Sequence, residues 1–65
     1  MKRSDIADDH VIELAQRWRD RRGPGVIDAL IAEGVPEKVA LAKVLHMSRR
    51  RLLDYGTSPY YAWPA

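Results

Sequence analysis

Two breaks, Gly23-Pro24-Gly25 and Gly34-Val35-Pro36, divide this chain into three short stretches, each of which can bury its apolar face only against the others. Before the first break, Val11, Leu14, Ala15 and Trp18 recur at i, i+3, i+4 and i+7, the spacing of one helical face. Asp5, Asp8 and Asp9 stand at its start and Arg17, Arg19, Arg21 and Arg22 at its end, which suits the helix dipole. The spacing predicts a helix over about residues 7–22. Between the breaks, Val26, Ile27, Leu30 and Ile31 share a stripe with Gly34 just past the end, predicting a helix over about 25–33. Pro36 fits the first turn of a third helix, over about 36–50. Two helices joined by so tight a turn cross at a steep angle.

The third stretch carries the chemistry. At 100° per residue, Ala40, Leu41, Val44, Leu45 and Met47 gather on one side. The other side collects Lys38, Val39, Ala42, Lys43, His46, Arg49 and Arg50, with no carboxylate among them. A helix with one core face and one basic face can lie along a phosphate backbone and reach base edges in the major groove. An ordinary amphipathic helix with a basic solvated side is the bland alternative.

Beyond Arg51, the runs Leu52-Leu53-Asp54-Tyr55 and Tyr60-Tyr61-Ala62-Trp63 flank the turn chemistry of Gly56-Thr57-Ser58-Pro59. They predict a hairpin over about 52–64 that packs Leu53, Tyr55, Tyr61 and Trp63 against the helices. A fourth helix over 49–55 followed by an extended aromatic tail is the competing arrangement. The fold class is therefore mainly α: three helices with a short C-terminal β-hairpin, in one domain spanning 1–65.

Charge and composition narrow the function. Acidic stretches at 4–16 and 23–37 alternate with basic ones at 17–22 and 38–54, the second basic stretch holding Lys38, Lys43, Arg49, Arg50 and Arg51 against Asp54 alone. Cysteine is absent, which removes disulfides, thiolate metal sites and a cysteine nucleophile, and favours a reducing, cytoplasmic setting. No apolar run approaches the ~20 residues that cross a bilayer, and Met1-Lys2-Arg3 runs at once into acidic residues, unlike a secretory signal. A chain of 65 residues buries only about 60% of its unfolded surface, leaving little room for a catalytic cleft. His10 near Asp8, Asp9 and Glu13 reads as the acidic start of a helix rather than a metal site, and Ser4, Ser48, Thr57 and Ser58 have no evident base. The expectation is a binding module that is not an enzyme and takes no cofactor.

Three helices, a tight turn before the third, and Arg50-Arg51-Leu52-Leu53-Asp54-Tyr55-Gly56 leading into a hairpin resemble a winged helix-turn-helix domain. That family often has glycine where Arg51 stands. The resemblance covers about residues 7–64 and implies that Lys38 meets a phosphate, that Lys43, His46, Arg49 and Arg50 face the major groove, and that Ala42 and Val39 touch a thymine methyl group. It implies further that Arg51 and the tip at Thr57-Ser58 approach the flanking backbone or minor groove; Arg17, Arg19, Arg21 and Arg22 either add phosphate contacts or simply cap the first helix, the second being the preferred reading. A second stretch, Leu41-Ala42 through Leu45-His46-Met47-Ser48 to Leu52 and Tyr55, is similar to the helix-turn-helix of phage-repressor-type regulators. It would make Ser48 an N-cap and 49–55 the recognition helix, with His46 at the usual turn glycine. The ending Asp54-Tyr55-Gly56-Thr57-Ser58-Pro59-Tyr60-Tyr61-Ala62-Trp63-Pro64 is also similar to small phage-encoded proteins of actinobacterial viruses.

The expected function is binding of double-stranded DNA as a small transcriptional regulator or phage regulatory factor, through Lys38, Lys43, His46, Arg49, Arg50 and Arg51. One small domain reads few base pairs, which leaves room for a homodimer. The rival expectation is a protein-interaction module that docks on a host protein, with Ile12, off the first helical stripe, joining an apolar contact patch or dimer face. A net charge of only +2 is modest for a dedicated DNA binder.

Overall fold

Amphipathic spacing, with dipole-matched charge at both ends of the first and third, produces the three helices, in a computed structural model that describes residues 1–65 throughout. They are α1 (Asp8–Arg19), α2 (Val26–Ala32) and α3 (Glu37–Arg49), followed by strands β1 (Leu53–Asp54) and β2 (Trp63–Pro64). Short 3-10 turns at Arg3–Asp5 and Pro59–Tyr61 complete the order. The strands pair antiparallel, Leu53 opposite Pro64 and Asp54 opposite Trp63, so the chain is a three-helix domain with a C-terminal hairpin. A fourth helix does not form after residue 50.

The helix ends explain where the expected boundaries move. All three close in the same hydrogen-bonded reversal, in which the second residue past the C-cap donates back to a carbonyl five residues earlier. Arg22 N–H reaches the Arg17 carbonyl at 2.8 Å, Val35 N–H that of Leu30 at 3.0 Å, and Leu52 N–H that of Met47 at 3.0 Å. The residue just past each C-cap turns left-handed: Arg21 at φ 60°, Gly34 at φ 96° and Arg51 at φ 63°. Helix α1 therefore stops at Arg19 rather than running to 22. The same reversal lets α3 hand over to β1 with Arg51 in the place where the resembled family often has glycine. Ser48 and His46 lie inside α3, which removes the repressor-type arrangement in which Ser48 starts a new helix.

The core comprises thirteen buried apolar residues drawn from the three helices, β1 and the connecting segments, among them Val11, Leu14, Ile27, Leu30, Val44, Met47 and Leu53. Ile12 packs partly against this cluster and so is not a free-standing patch. Ile31 is the member of the α2 stripe that stays out, at 39% exposure. In the hairpin Leu53 and Tyr55 pack against the core as expected, but Ala62 rather than Tyr61 takes the other fully inward place. Ala62 is fully buried and Leu53 nearly so, while Tyr61 is 48% exposed and lies across Trp18, with ring centroids 5.6 Å apart and planes tilted by 32°. A 3-10 turn between the strands causes this. Ser58 Oγ accepts from Tyr60 N–H at 3.3 Å, and the one-turn helix swings Tyr61 outward while Ala62 drops into the core. Tyr55, Tyr60 and Leu52 are partly buried against the cluster, and Trp63 is half-buried.

Candidate functional site

Helix α3 buries Ala40, Lys43, Val44 and Met47, an i, i+3, i+4, i+7 face with a lysine as its second member. This is a rotation from the face expected from polarity, which placed Leu45 inward and Lys43 outward; Leu41, also expected inward, packs partly on the core. Lys43 is only 5% exposed; its methylene stem packs inside, and its ammonium donates to Asp8 Oδ1 at 2.6 Å. Arg50 NH1 lies 3.0 Å from the other oxygen, Asp8 Oδ2, so one carboxylate at the start of α1 holds two cations of α3. The Lys43 hydrogen bond, more than that of Arg50, keeps the Asp8 carboxyl below its ordinary range despite partial desolvation. Lys43 is thus withdrawn from the surface, and Arg50, though exposed, is engaged within the molecule.

With the buried face fixed, the opposite pole of α3 runs through Lys38, Ala42, Leu45 and Arg49, bordered by Leu41 and His46. Lys38 and Arg49 are exposed and form no ion pair; Ala42, Leu45, Leu41 and His46 are half-buried. Val39 packs partly on the core, away from this pole. At 1.5 Å rise per residue, Lys38 and Arg49 stand roughly 16 Å apart along the helix. The only acid of α3, Glu37, is tied off by the Tyr60 hydroxyl, which donates to it; that bond in turn holds the Tyr60 hydroxyl proton above its ordinary pKa. It fixes the 3-10 turn of the hairpin to the start of α3.

His46 sits where α3 meets the N-terminal turn, in a shallow cleft shared with Arg3, Ser4, Asp8, Lys43 and Arg50. Partial desolvation, then the charges of Arg3, Arg50, Lys43 and Arg49, push its pKa below the ordinary 6.5, which favours a neutral imidazole. Arg51 is exposed and, with Ser48, Arg49, Leu53 and Asp54, lines the concavity where α3 turns into β1.

Of the six residues expected at the site, Lys38, Arg49 and Arg51 therefore present free charge, His46 borders them, Arg50 is shared with Asp8, and Lys43 is inside. The sequence does hold the signal for Lys43: Ala40, Val44 and Met47 complete the helical template only if residue 43 joins them. Leu45, expected in the core, is instead the middle of the outward pole.

His10 Nε2 lies 2.7 Å from Glu33 Oε1, linking α1 to the end of α2. Arg17 pairs with Glu13 at 3.0 Å and Arg22 with Asp20 at 3.0 Å, leaving Arg19 and Arg21 without an ion-pair partner. No helix is long and apolar enough to cross a membrane. The arrangement of three helices and a terminal hairpin is compatible with a winged helix-turn-helix shape. No protein-family model, curated protein or solved structure matches the chain.

Proposed function

We propose that the protein binds double-stranded DNA, with the outward pole of α3 in the major groove and the hairpin beside it, as a small regulatory factor. The observation that carries this reading is the pairing of two unengaged cations, Lys38 and Arg49, at the ends of a helix pole that bears no free carboxylate. Lys38 would meet a phosphate, and Arg49 a guanine edge or phosphate. Between them, Ala42 and Leu45 offer the apolar contact that a thymine methyl group accepts. Arg51, at the start of the hairpin, extends the positive surface toward the flanking backbone.

A second reading is docking on a protein partner. It is favoured by the engagement of Lys43 and Arg50 by Asp8, whose single charge offsets one of the two cations and lowers the charge of α3 below what its sequence advertises. Salt dependence separates the two, because phosphate contacts release condensed counterions and a mixed protein interface does not. The test is a titration of the chain with a mixed-sequence duplex over a range of salt, followed by selection of the preferred site. Arg49→Ala is expected to lose roughly 1–3 kcal/mol of discrimination at single base pairs, and Lys38→Ala to weaken all sequences alike with a salt slope lower by about 1. Binding that ignores salt, or that is unchanged in both variants, refutes the DNA reading.

A further inference from the structure

The helices on either side of the hairpin end in the same unusual way. Strand β1 lies against α3 and β2 against α1, so the hairpin separates the C-terminal ends of these two helices. Each helix finishes on an arginine, Arg19 or Arg49, and two residues later places a second arginine, Arg21 or Arg51, in the left-handed region. Helix α2 makes the same reversal with Gly34, the residue that enters that region without steric penalty. The chain therefore uses glycine at one of three equivalent positions and strained arginine at the two that flank the hairpin. A cation in the last turn is explained by the helix dipole, and Arg19 and Arg49 already meet that need. Arg21 and Arg51 lie past the helix ends, where a glycine would relieve the backbone. Strain retained against an easier alternative points to use of the side chain. None of the four arginines forms an ion pair.

On the α1 side, Arg19 and Arg21 share a cleft with Trp18, Gly23 and Trp63. On the α3 side, Arg49 and Arg51 share one with Leu53 and Asp54. The molecule is 28 Å across its longest axis, which matches roughly eight base-pair steps of 3.4 Å. One short duplex is thus long enough to meet both arginine pairs.

Resting on the DNA reading, we propose that the cleft at the end of α1 is a second contact for the same duplex. Arg19 and Arg21 hold its phosphates on the far side of the hairpin from α3, and Trp18 and Trp63 wall the cleft against the sugars. Guanidinium forks suit phosphate oxygens, and a regular polyanion can engage matched arginine pairs on both flanks at once. An isolated acidic peptide has no need of the second pair.

The two tryptophans of the chain, Trp18 and Trp63, both line this cleft, so their emission responds to binding there, while the variants below assign that response to Arg19 and Arg21. The intact protein is titrated with a 12-base-pair duplex while tryptophan emission and the salt slope of binding are followed. The expected result is a saturable emission change that added salt reverses. Arg19→Gln with Arg21→Gln should lower the slope by about 2, at roughly 0.9 for each phosphate no longer neutralised. Arg21→Gly should lower it by about 1 while its melting temperature holds or rises, which excludes misfolding as the cause. An unchanged slope in the Arg19→Gln, Arg21→Gln protein, with a reduced slope in Lys38→Ala, Arg49→Ala, overturns this proposal and leaves the α3 reading standing. An α1 pair that matters for binding a poly-glutamate peptide but not the duplex also overturns it. Absence of duplex binding by the intact protein at every salt concentration removes both.

Discussion

Gly25→Ala adds a single methyl group, and the surroundings of that methyl are defined. Gly25 precedes the first turn of α2 with φ −54° and ψ 152°, a backbone that any residue adopts, so conformational strain plays no part. Space does. An added Cβ would stand 2.5 Å from the Tyr60 carbonyl oxygen and 2.9 and 3.0 Å from two ring carbons of Tyr61. A carbon and a carbonyl oxygen rest about 3.3 Å apart or more, so the 3-10 turn must retreat by most of an ångström. The turn is poorly placed to do so, because Tyr60 is tied to Glu37 and Ala62 is fully buried behind it.

Inserting a methyl group into a packed site costs about 1–3 kcal/mol. The reduced freedom of the unfolded chain returns about 0.4–1 kcal/mol, and loss of glycine at the N-cap position removes a little more stability. A net loss near 2 kcal/mol lowers the melting temperature of a domain this small by roughly 8–16 °C. Melting followed by circular dichroism measures it, with Gly23→Ala as the matched control, whose Cβ meets only Arg17 Cβ at an ordinary 3.8 Å. The near-ultraviolet signal of Trp18 should change too, since the displaced Tyr61 ring lies on it. A Gly25→Ala protein that melts within about 2 °C of Gly23→Ala would show that the hairpin does not sit against α2 as described.

Asp8→Asn leaves the Lys43 ammonium inside without its counter-charge and should lower the melting temperature by several degrees, with Lys43→Met restoring much of the loss in the double variant; additive losses contradict the pairing. The depressed pKa of His46 means that the unfolded chain takes up its proton first, so stability is unaffected above the unfolded value near 6.5 and falls as pH drops below it toward the folded value. In melts between pH 8 and 5, His46→Gln should flatten that decline, and a decline of equal steepness in the variant refutes the assignment.

Much of the fold is written locally. The breaks at Gly23–Gly25 and Gly34–Pro36 and the apolar spacing of Val11, Leu14 and Ala15 place α1 and α2 without tertiary knowledge. The stopping point of α1 is not local in that sense, since Arg21 and Arg22 are good helix residues and only the left-handed turn at Arg21 ends the run. The facing of α3 is the larger gap. Polarity assigns Lys43 to water, yet a lysine can lie inside if its head finds an acid, and the acid is Asp8, thirty-five residues earlier. In the hairpin, size misleads: Tyr61 and Trp63 have more surface to bury than Ala62, but the 3-10 turn decides which side chain faces inward.

The rotation of α3 changes what its surface is suited to recognise. A pole of Lys38, Lys43, Arg49 and Arg50 would draw most of its affinity from phosphates, whose contacts carry no sequence information. Burial of Lys43 and engagement of Arg50 by Asp8 leave cations at the two ends and Ala42 and Leu45 in the middle. On the proposed duplex, such a surface would gain less from phosphates and more from the edges of bases. If Lys38, Arg49, Arg51, Arg19 and Arg21 each meet a phosphate, the salt slope of the intact protein is about 4 to 5, and every one of them that instead contacts a base lowers it by about 0.9. A slope well under that count, joined to strong discrimination between matched and mismatched duplexes, is therefore the signature of Arg49 and the Ala42–Leu45 centre reading bases, while a full slope with little discrimination assigns the same residues to the backbone.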